Sequence, residues 1–306
     1  MLNAVWIEDP DPATVERIRA LLLAARDADG RPELPPGTTL PPELTGGSHL
    51  LADVAGELAG YAHLDTEGDS FGRQVAELIV HPRRRRNGYG TALVKALVDR
   101  TGAVAGEDRL RVWAHGDHPG AARLAERVGF TRARELLVMH AGVEGERWPE
   151  PSPREGVTIR TFRPGLDEDA VIAVNARAFD WHPEQGSLTA EELRATERED
   201  WFDPAGFFLA ENAKGEVVGF HWTKVHEPNP ERFGGKPVGE VYVVGVDPAM
   251  QGGGLGKALT LAGLRHLADR GLEQIILYVE GDNAPAVSVY SGLGFTRYEV
   301  DVQYAS

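Results

Sequence analysis

The sequence contains no cysteine. That absence excludes disulfides, thiolate metal sites and a thiol nucleophile. Cations are scarce as well: 32 Lys and Arg stand against 47 Asp and Glu, a formal charge of −15. Such a balance disfavours nucleic acid or an anionic membrane as a general partner, because phosphates need Lys and Arg. No apolar run approaches the ~18–20 residues of a membrane span. The opening MLNAVWIEDPDP lacks the basic and apolar regions of a secretory signal. The expectation is a soluble, cytoplasmic chain that acts as a monomer. What is present is 306 residues with 42% apolar content, enough for two cored domains.

The chain is written twice. AELIVHPRRRRNGYGTALVKAL (76–97) and VYVVGVDPAMQGGGLGKALTLAGL (241–264) each read as an apolar strand, a proline, a Gly-x-Gly loop and an apolar-periodic helix. Pro82, Arg85, Gly88 and Gly90 align with Pro248, Gln251, Gly254 and Gly256. HLLADVAGELAGYAHL and FFLAENAKGEVVGFHWTK are matching hairpins, and ARLAERVGFTR and SVYSGLGFTR are matching short helices that end at glycine. The spacing predicts α/β domains over 1–141 and 157–306, with the proline-rich stretch 142–156 as a linker.

A strand that ends in a glycine-rich loop and continues as a helix offers unpaired N–H groups and the positive end of a dipole to a phosphate. Glycine lets the ligand approach the backbone. A dinucleotide-binding reading needs a third glycine and an acid about 20 residues on; neither loop has that glycine. The copies differ. The first loop carries Arg83, Arg84, Arg85 and Arg86, whereas the second reads Gln-Gly-Gly-Gly-Leu-Gly with only Lys257 nearby. The spacing predicts Asn283 as the cap of the last helix of the second copy, with Pro285 in its first turn and Tyr290 further on; alignment of the Gly-Phe pairs puts Ala125 opposite Tyr290.

The loop pattern resembles that of the Gcn5-related N-acetyltransferases, in which Arg/Gln-x-x-Gly-x-Gly/Ala holds the pyrophosphate of acetyl-CoA. The resemblance implies two tandem domains of that fold, each a mixed, mostly antiparallel sheet flanked by helices. A closer resemblance, to the mycothiol synthases, is carried by HPEQG, WFDP, GFHWTK, GEVYVVGVDP and LYVEGDNAPAVSVYSGLGF between residues 182 and 295. That family acetylates the cysteinyl α-amine of a cysteine–glucosamine–inositol conjugate, with acetyl-CoA as co-substrate and no metal.

The resemblance implies Glu240 as general base, through a water, and Tyr290 as general acid. It implies Glu184, Lys224, Glu240 and Tyr278 as substrate contacts. For acetyl-CoA it implies Val244, Gly245 and Val246, the loop Gln251, Gly252, Gly253, Gly254, Leu255, Gly256 and Lys257, and the helix start Asn283, Ala284, Pro285, Ala286, Val287 and Ser288. In the first domain, which is expected to bind acetyl-CoA without turnover, the contacts are Leu78, Ile79, Val80, Arg86, Asn87, Gly88, Tyr89, Gly90 and Thr91. The residue types suit the chemistry. An α-amine with a pKa of ~7.7–8.0 is partly neutral at physiological pH, so a carboxylate through water is a sufficient base. Glu240 opens an apolar strand, where a carboxylate sits at a rim or is paired.

Two departures stand out. Pro36 falls where the family has an acidic substrate contact, with Glu33 the nearest acid, and the second loop lacks its arginines. The Pro36 region keeps open a tandem acetyltransferase for another amine, such as an amino sugar or a peptide N-terminus, and Ala125 in the first domain keeps open a non-catalytic acetyl-CoA sensor. His182, His221 and His226 lie in different elements, which argues against a zinc site.

Overall fold

The computed structural model describes residues 2–30, 34, 37–69, 71–104, 106–143, 148–182, 185–229 and 233–306. Glu33, Pro36 and Glu184 lie outside them, so the expectations placed there have no structural counterpart. The chain divides into two units, one of residues 1–136 plus 299–306 and the other of residues 137–298.

The first unit runs β1 (Asn3–Ile7), α1 (Pro12–Asp29), β2 (Ser48–Val54), β3 (Glu57–Asp65), β4 (Gln74–Val80), α2 (Tyr89–Thr101), β5 (Leu110–Ala114) and α3 (Pro119–Val128). Next, β6 (Thr131–Gly142) carries the chain out of it. The second unit continues with β7 (Val157–Thr161), α4 (Glu168–Ala178), α5 (Ala190–Thr196), β8 (Phe207–Asn212), β9 (Val217–His226), β10 (Val238–Val246), α6 (Leu255–Asp269), β11 (Gln274–Glu280) and α7 (Ala284–Ser291). Finally, β12 (Thr296–Ala305) returns the chain to the first unit.

Each unit holds an α/β sheet of mixed sense. In the first, β1 to β4 pair antiparallel in sequence order and β4 pairs parallel with β5. In the second, β7 to β10 pair antiparallel in order and β10 pairs parallel with β11. The repeat read from the sequence is thus a repeat of topology. The far edge of the first sheet departs from the expected boundary at 157–306. There Val302–Ala305 of β12 pair antiparallel with Arg111–Ala114 of β5. The expected linker is also partly docked: Trp148 is buried, and its indole N–H donates to the Leu293 carbonyl at 2.9 Å.

Alternation along the strands sends apolar side chains to both sheet faces, and the helices cover them. In the first unit Ile18, Leu21 and Leu22 of α1 pack with Leu51 and Tyr61, while Leu93, Val94 and Leu97 of α2 cover Ala62, Leu64 and Ala76. In the second, Val171 and Val174 of α4 meet Phe207, Phe220 and Trp222, while Leu255 and Leu259 of α6 cover Ala210 and Val218. Burying each Val, Leu, Ile or Phe among them contributes about 1.5–3 kcal/mol. The helix ends follow local chemistry: Asp11 caps α1 by accepting from the Thr14 N–H at 2.8 Å, and Gly30 closes it with φ 77°.

No helix among the described residues is long and apolar enough to cross a membrane.

Candidate active site

The parallel pairing in each unit stops short. β4 pairs with β5 only from Gln74 to Glu77, which leaves Leu78–Val80 beyond the last pair. β10 pairs with β11 only from Gly239 to Val241. The strand ends that carry Leu78, Ile79 and Val80, and Val244, Gly245 and Val246, therefore part from their parallel neighbours. Their backbone groups on that side are available to a polar, extended ligand.

Each opened strand leads into the glycine loop. Gly88 and Gly254 stand immediately before α2 and α6 with φ of 82° and 76°, a region that only glycine occupies cheaply, and neither helix start carries a side-chain cap. The first-turn N–H groups of both helices are left to an outside acceptor. Arg85 and Gln251 act on the strand end instead. Arg85 Nε donates to the Val80 carbonyl at 3.2 Å and Gln251 Nε2 to the Val246 carbonyl at 3.4 Å. These aligned side chains brace the loop against its strand.

The arginines of the first loop are less free than their number suggested. Arg84 pairs with Glu57 at 2.7 Å, and Arg85 pairs with Asp29. Arg86 makes no ion pair among the described residues and lines a cavity of about 550 Å3. That cavity also takes in Leu78, Ile79, Val80, Gly88, Tyr89, Gly90 and Thr91, eight of the nine contacts expected in the first unit. Asn87 instead donates to the carbonyls of Arg84 and Arg85, both at 3.0 Å. Missed from sequence is His115, which faces Glu77 at 3.1 Å and Asp301 at 3.3 Å on the same cavity wall. Burial opposes charge on its ring, but the two carboxylates hold its pKa well above the ordinary value.

The second loop is not without a cation. A β-carbon at Gly253 would stand 3.3 Å from Nη1 of Arg154. An arginine from the stretch read as a linker thus occupies the place that the loop's own sequence leaves uncharged. Sequence reasoning missed it because the two residues are about a hundred positions apart.

Glu240 is 5% exposed. Its Oε2 lies 2.5 Å from Nε2 of His226, a side chain that is 37% exposed. Across the strands Glu240 is in register with Lys224. The Lys224 amine lies over the Trp201 ring, 4.2 Å from its centroid, and 5.2 Å from that of Tyr242. Trp201 stacks on Trp222 at 5.6 Å, and Tyr242 meets both indoles edge-on. A cation held over aromatic faces is stabilised by the ring quadrupoles. Burial, then the negative charge of Glu240, pushes the Tyr242 hydroxyl pKa upward.

Tyr242 is the extra residue of a β-bulge, since the β9–β10 register slips between Val241 and Val243. β4 has no such slip. Once the bulge is allowed for, Glu240 pairs with Ile276 where Val75 pairs with Arg111, and Lys224 is replaced by Asp65. Ala125, opposite Tyr290 by alignment, is buried in α3 and lines the first cavity. The first unit therefore keeps the cradle and lacks counterparts of Glu240, Lys224 and Tyr290.

Tyr290 sits in the last turn of α7, half-buried, with burial raising its hydroxyl to about 12. Asn283 caps that helix by accepting from the Ala286 N–H at 3.2 Å, and Pro285 occupies the first turn. Tyr278, 41% exposed, lies one residue past the last β10–β11 pair. The three histidines have separate partners: His221 Nδ1 is 2.8 Å from the Leu259 carbonyl, His182 is 3.7 Å from Glu280, and His226 faces Glu240. Burial lowers His221 to about 4, consistent with a neutral core imidazole. Among the described residues no group of three or more His, Asp or Glu could hold a metal ion.

Comparison with known proteins agrees with this geometry. The acetyltransferase (GNAT) family model matches residues 18–130 and 175–295, once in each half. A mycothiol acetyltransferase of Saccharomonospora viridis is 65% identical over 100% of this chain and 99% of its own. One from Amycolatopsis mediterranei is 66% identical over 98% and 97%. Among solved structures, a GCN5-related N-acetyltransferase from Sphaerobacter thermophilus superposes with a TM-score of 0.71 at 26% identity, covering 99% of this chain and 95% of that one. A tandem GNAT protein from the clavulanic acid biosynthesis pathway shares the fold with a TM-score of 0.66 at 20% identity, covering 100% and 98%. With two opened strand ends, two glycine cradles and a family match over each half, the chain is an acetyltransferase of the GNAT family and belongs to its mycothiol acetyltransferase branch.

Proposed function

We propose that the second unit moves the acetyl group of acetyl-CoA to the α-amine of a cysteinyl–glucosamine–inositol conjugate, the last step in making mycothiol. The observation that carries the assignment to this unit is the register of β10. It sets a nearly buried carboxylate, Glu240, two residues before the bulge where the strand parts from β11, whereas the first unit has Val75 at that register.

In this reading the Val244–Val246 backbone receives the thioester arm, and its N–H groups stabilise the oxyanion that forms on attack. The α6 N-terminus, Lys257 and Arg154 face the pyrophosphate. Glu240, through a water, takes the proton from the attacking amine. Tyr290 gives its proton to the departing thiolate. With its pKa at about 12 the hydroxyl is protonated at every working pH. It is a weaker donor than a free tyrosine, but a thiolate with a pKa near ~8.5 leaves readily and needs little help. Lys224 and Tyr278 line the acceptor side. The first unit, with its cavity and no counterpart of Glu240 or Tyr290, binds acetyl-CoA without transferring it.

The test is turnover by Glu240→Gln and Tyr290→Phe with the cysteinyl conjugate as acceptor. Each variant should lose about 10²-fold or more in kcat, the scale of general acid–base catalysis, while still binding acetyl-CoA. Wild-type turnover by both would remove the catalytic assignment.

A further inference from the structure

Glu240 has the burial of a core residue and the task of a base. Its side chain is only 6% exposed. A proton it collects in one turnover has to leave before the next, and little of the carboxylate is open to bulk water. His226 supplies one. It is the last residue of β9, paired with Val238, so its ring lies on the same face as Glu240 and diagonally across the ladder. Its Nε2 is 2.5 Å from Glu240 Oε2, and at 37% exposure the ring also reaches solvent. The charged neighbour on the other side, Lys224, is directed to the Trp201 and Tyr242 rings. Tyr242 is itself held protonated by burial and by the charge of Glu240.

We infer that His226 orients the Glu240 carboxylate and carries its proton to solvent, a positioning and relay residue that acts through the base. The step rests on the reading of Glu240 given above. The amine N–H proton passes through a water to Glu240, then to His226 Nε2, and a proton leaves the imidazole to bulk water. An acceptor that enters as an ammonium gives up two protons by this route; the C–N bond forms, the C–S bond breaks, the thiolate takes its proton from Tyr290 and the Tyr290 phenolate regains one from solvent, so each turnover releases one proton net. Imidazole is the side chain suited to such a relay, because its two nitrogens exchange protons near neutral pH.

The test uses His226→Gln, which keeps an N–H donor beside Glu240 but cannot relay, and His226→Ala, which opens space for added imidazole. With the cysteinyl conjugate, His226→Gln should lose at least about 10-fold in kcat, with the KM for acetyl-CoA within about twofold of wild type. His226→Ala should recover activity with imidazoles of similar size, and the recovered rate should rise with their basicity. Full activity of His226→Gln would overturn the relay. So would a rescue that ignores basicity, which would leave His226 a purely structural partner. Glu240→Gln is run beside them. If it keeps turnover, the reading of the base falls and the relay with it; if it is inactive while either negative result holds, only the relay falls.

Discussion

Gly88 and Gly254 occupy the same place in two cradles, and replacing each with alanine separates what the cradles do. Their φ angles, 82° and 76°, lie in the left-handed region, where an L-residue costs about 1–2 kcal/mol. A β-carbon at either position would meet nothing within 4 Å. The penalty is therefore torsional, with no steric clash added, and the loop can relax away from it by turning φ negative. Acetyl-CoA binding has to restore the left-handed turn to aim the first N–H groups of α2 or α6 at the pyrophosphate. The cost then falls on binding, and 1–2 kcal/mol corresponds to about 5- to 30-fold in affinity. Gly254→Ala should raise the KM for acetyl-CoA by up to that factor with kcat little changed. Gly88→Ala should weaken one of two sites seen by calorimetric titration and leave the KM of turnover where it was. The reasoning is refuted if Gly88→Ala raises the KM for acetyl-CoA as much as Gly254→Ala, or if neither substitution changes the titration.

Other consequences follow from single contacts. The rate should show no high-pH fall assignable to Tyr290 below about pH 11, since its hydroxyl stands at about 12; a Tyr290-dependent fall centred near pH 9 would contradict the raised value. Its stabilising effect is complete below the free-tyrosine pKa of ~10 and is lost as pH rises from there through about 12. Arg154→Ala should raise the KM for acetyl-CoA about threefold at low salt, with the difference shrinking as salt screens this exposed cation; an effect independent of salt would argue against a phosphate contact. Asp167 is buried and accepts from both Arg160 Nη atoms, at 2.7 and 2.9 Å, and from the Arg163 N–H at 2.8 Å. Burial alone would raise its pKa, but these donors hold it well below the carboxylate range. Its contribution is therefore present above the unfolded value of ~3.9 and is lost as pH falls below it. Asp167→Ala should cost about 3 kcal/mol in urea unfolding at pH 7; a loss under 1 kcal/mol would show the arginines finding other partners.

Much of this was legible in the sequence because it is local. A strand, a proline and a Gly-x-Gly loop before an apolar-periodic helix lie within two dozen residues, and finding the set twice fixed both cradles and the fold class. Asn283 and Pro285 announced the start of α7 in the same way. What stayed hidden depends on long-range register. The bulge at Tyr242 is a single residue in an apolar run, and only the pairing with β9 shows that it offsets Glu240 from the first copy. Lys224 reads as a surface amine until Trp201 is placed beneath it. Arg154 reads as linker until it meets Gly253. The exchange that puts Val302–Ala305 beside β5 has no local signature, since β12 looks like the closing strand of its own repeat. His115 was passed over because both of its carboxylate partners, Glu77 and Asp301, are far away in sequence.

The central claim is that a cysteinyl α-amine is acetylated in the second unit. It is tested most directly by presenting acetyl-CoA with a panel of acceptors and identifying the products by mass spectrometry, since the proposed acceptor already carries a thiol. The panel holds the cysteine–glucosamine–inositol conjugate, its uncysteinylated amino sugar, free cysteine and a peptide N-terminus. The account predicts acetylation of the conjugate on its cysteinyl nitrogen, lost in Glu240→Gln and kept in Gly88→Ala. Robust acetylation of the uncysteinylated amino sugar or the peptide, with the conjugate left unmodified, would contradict it.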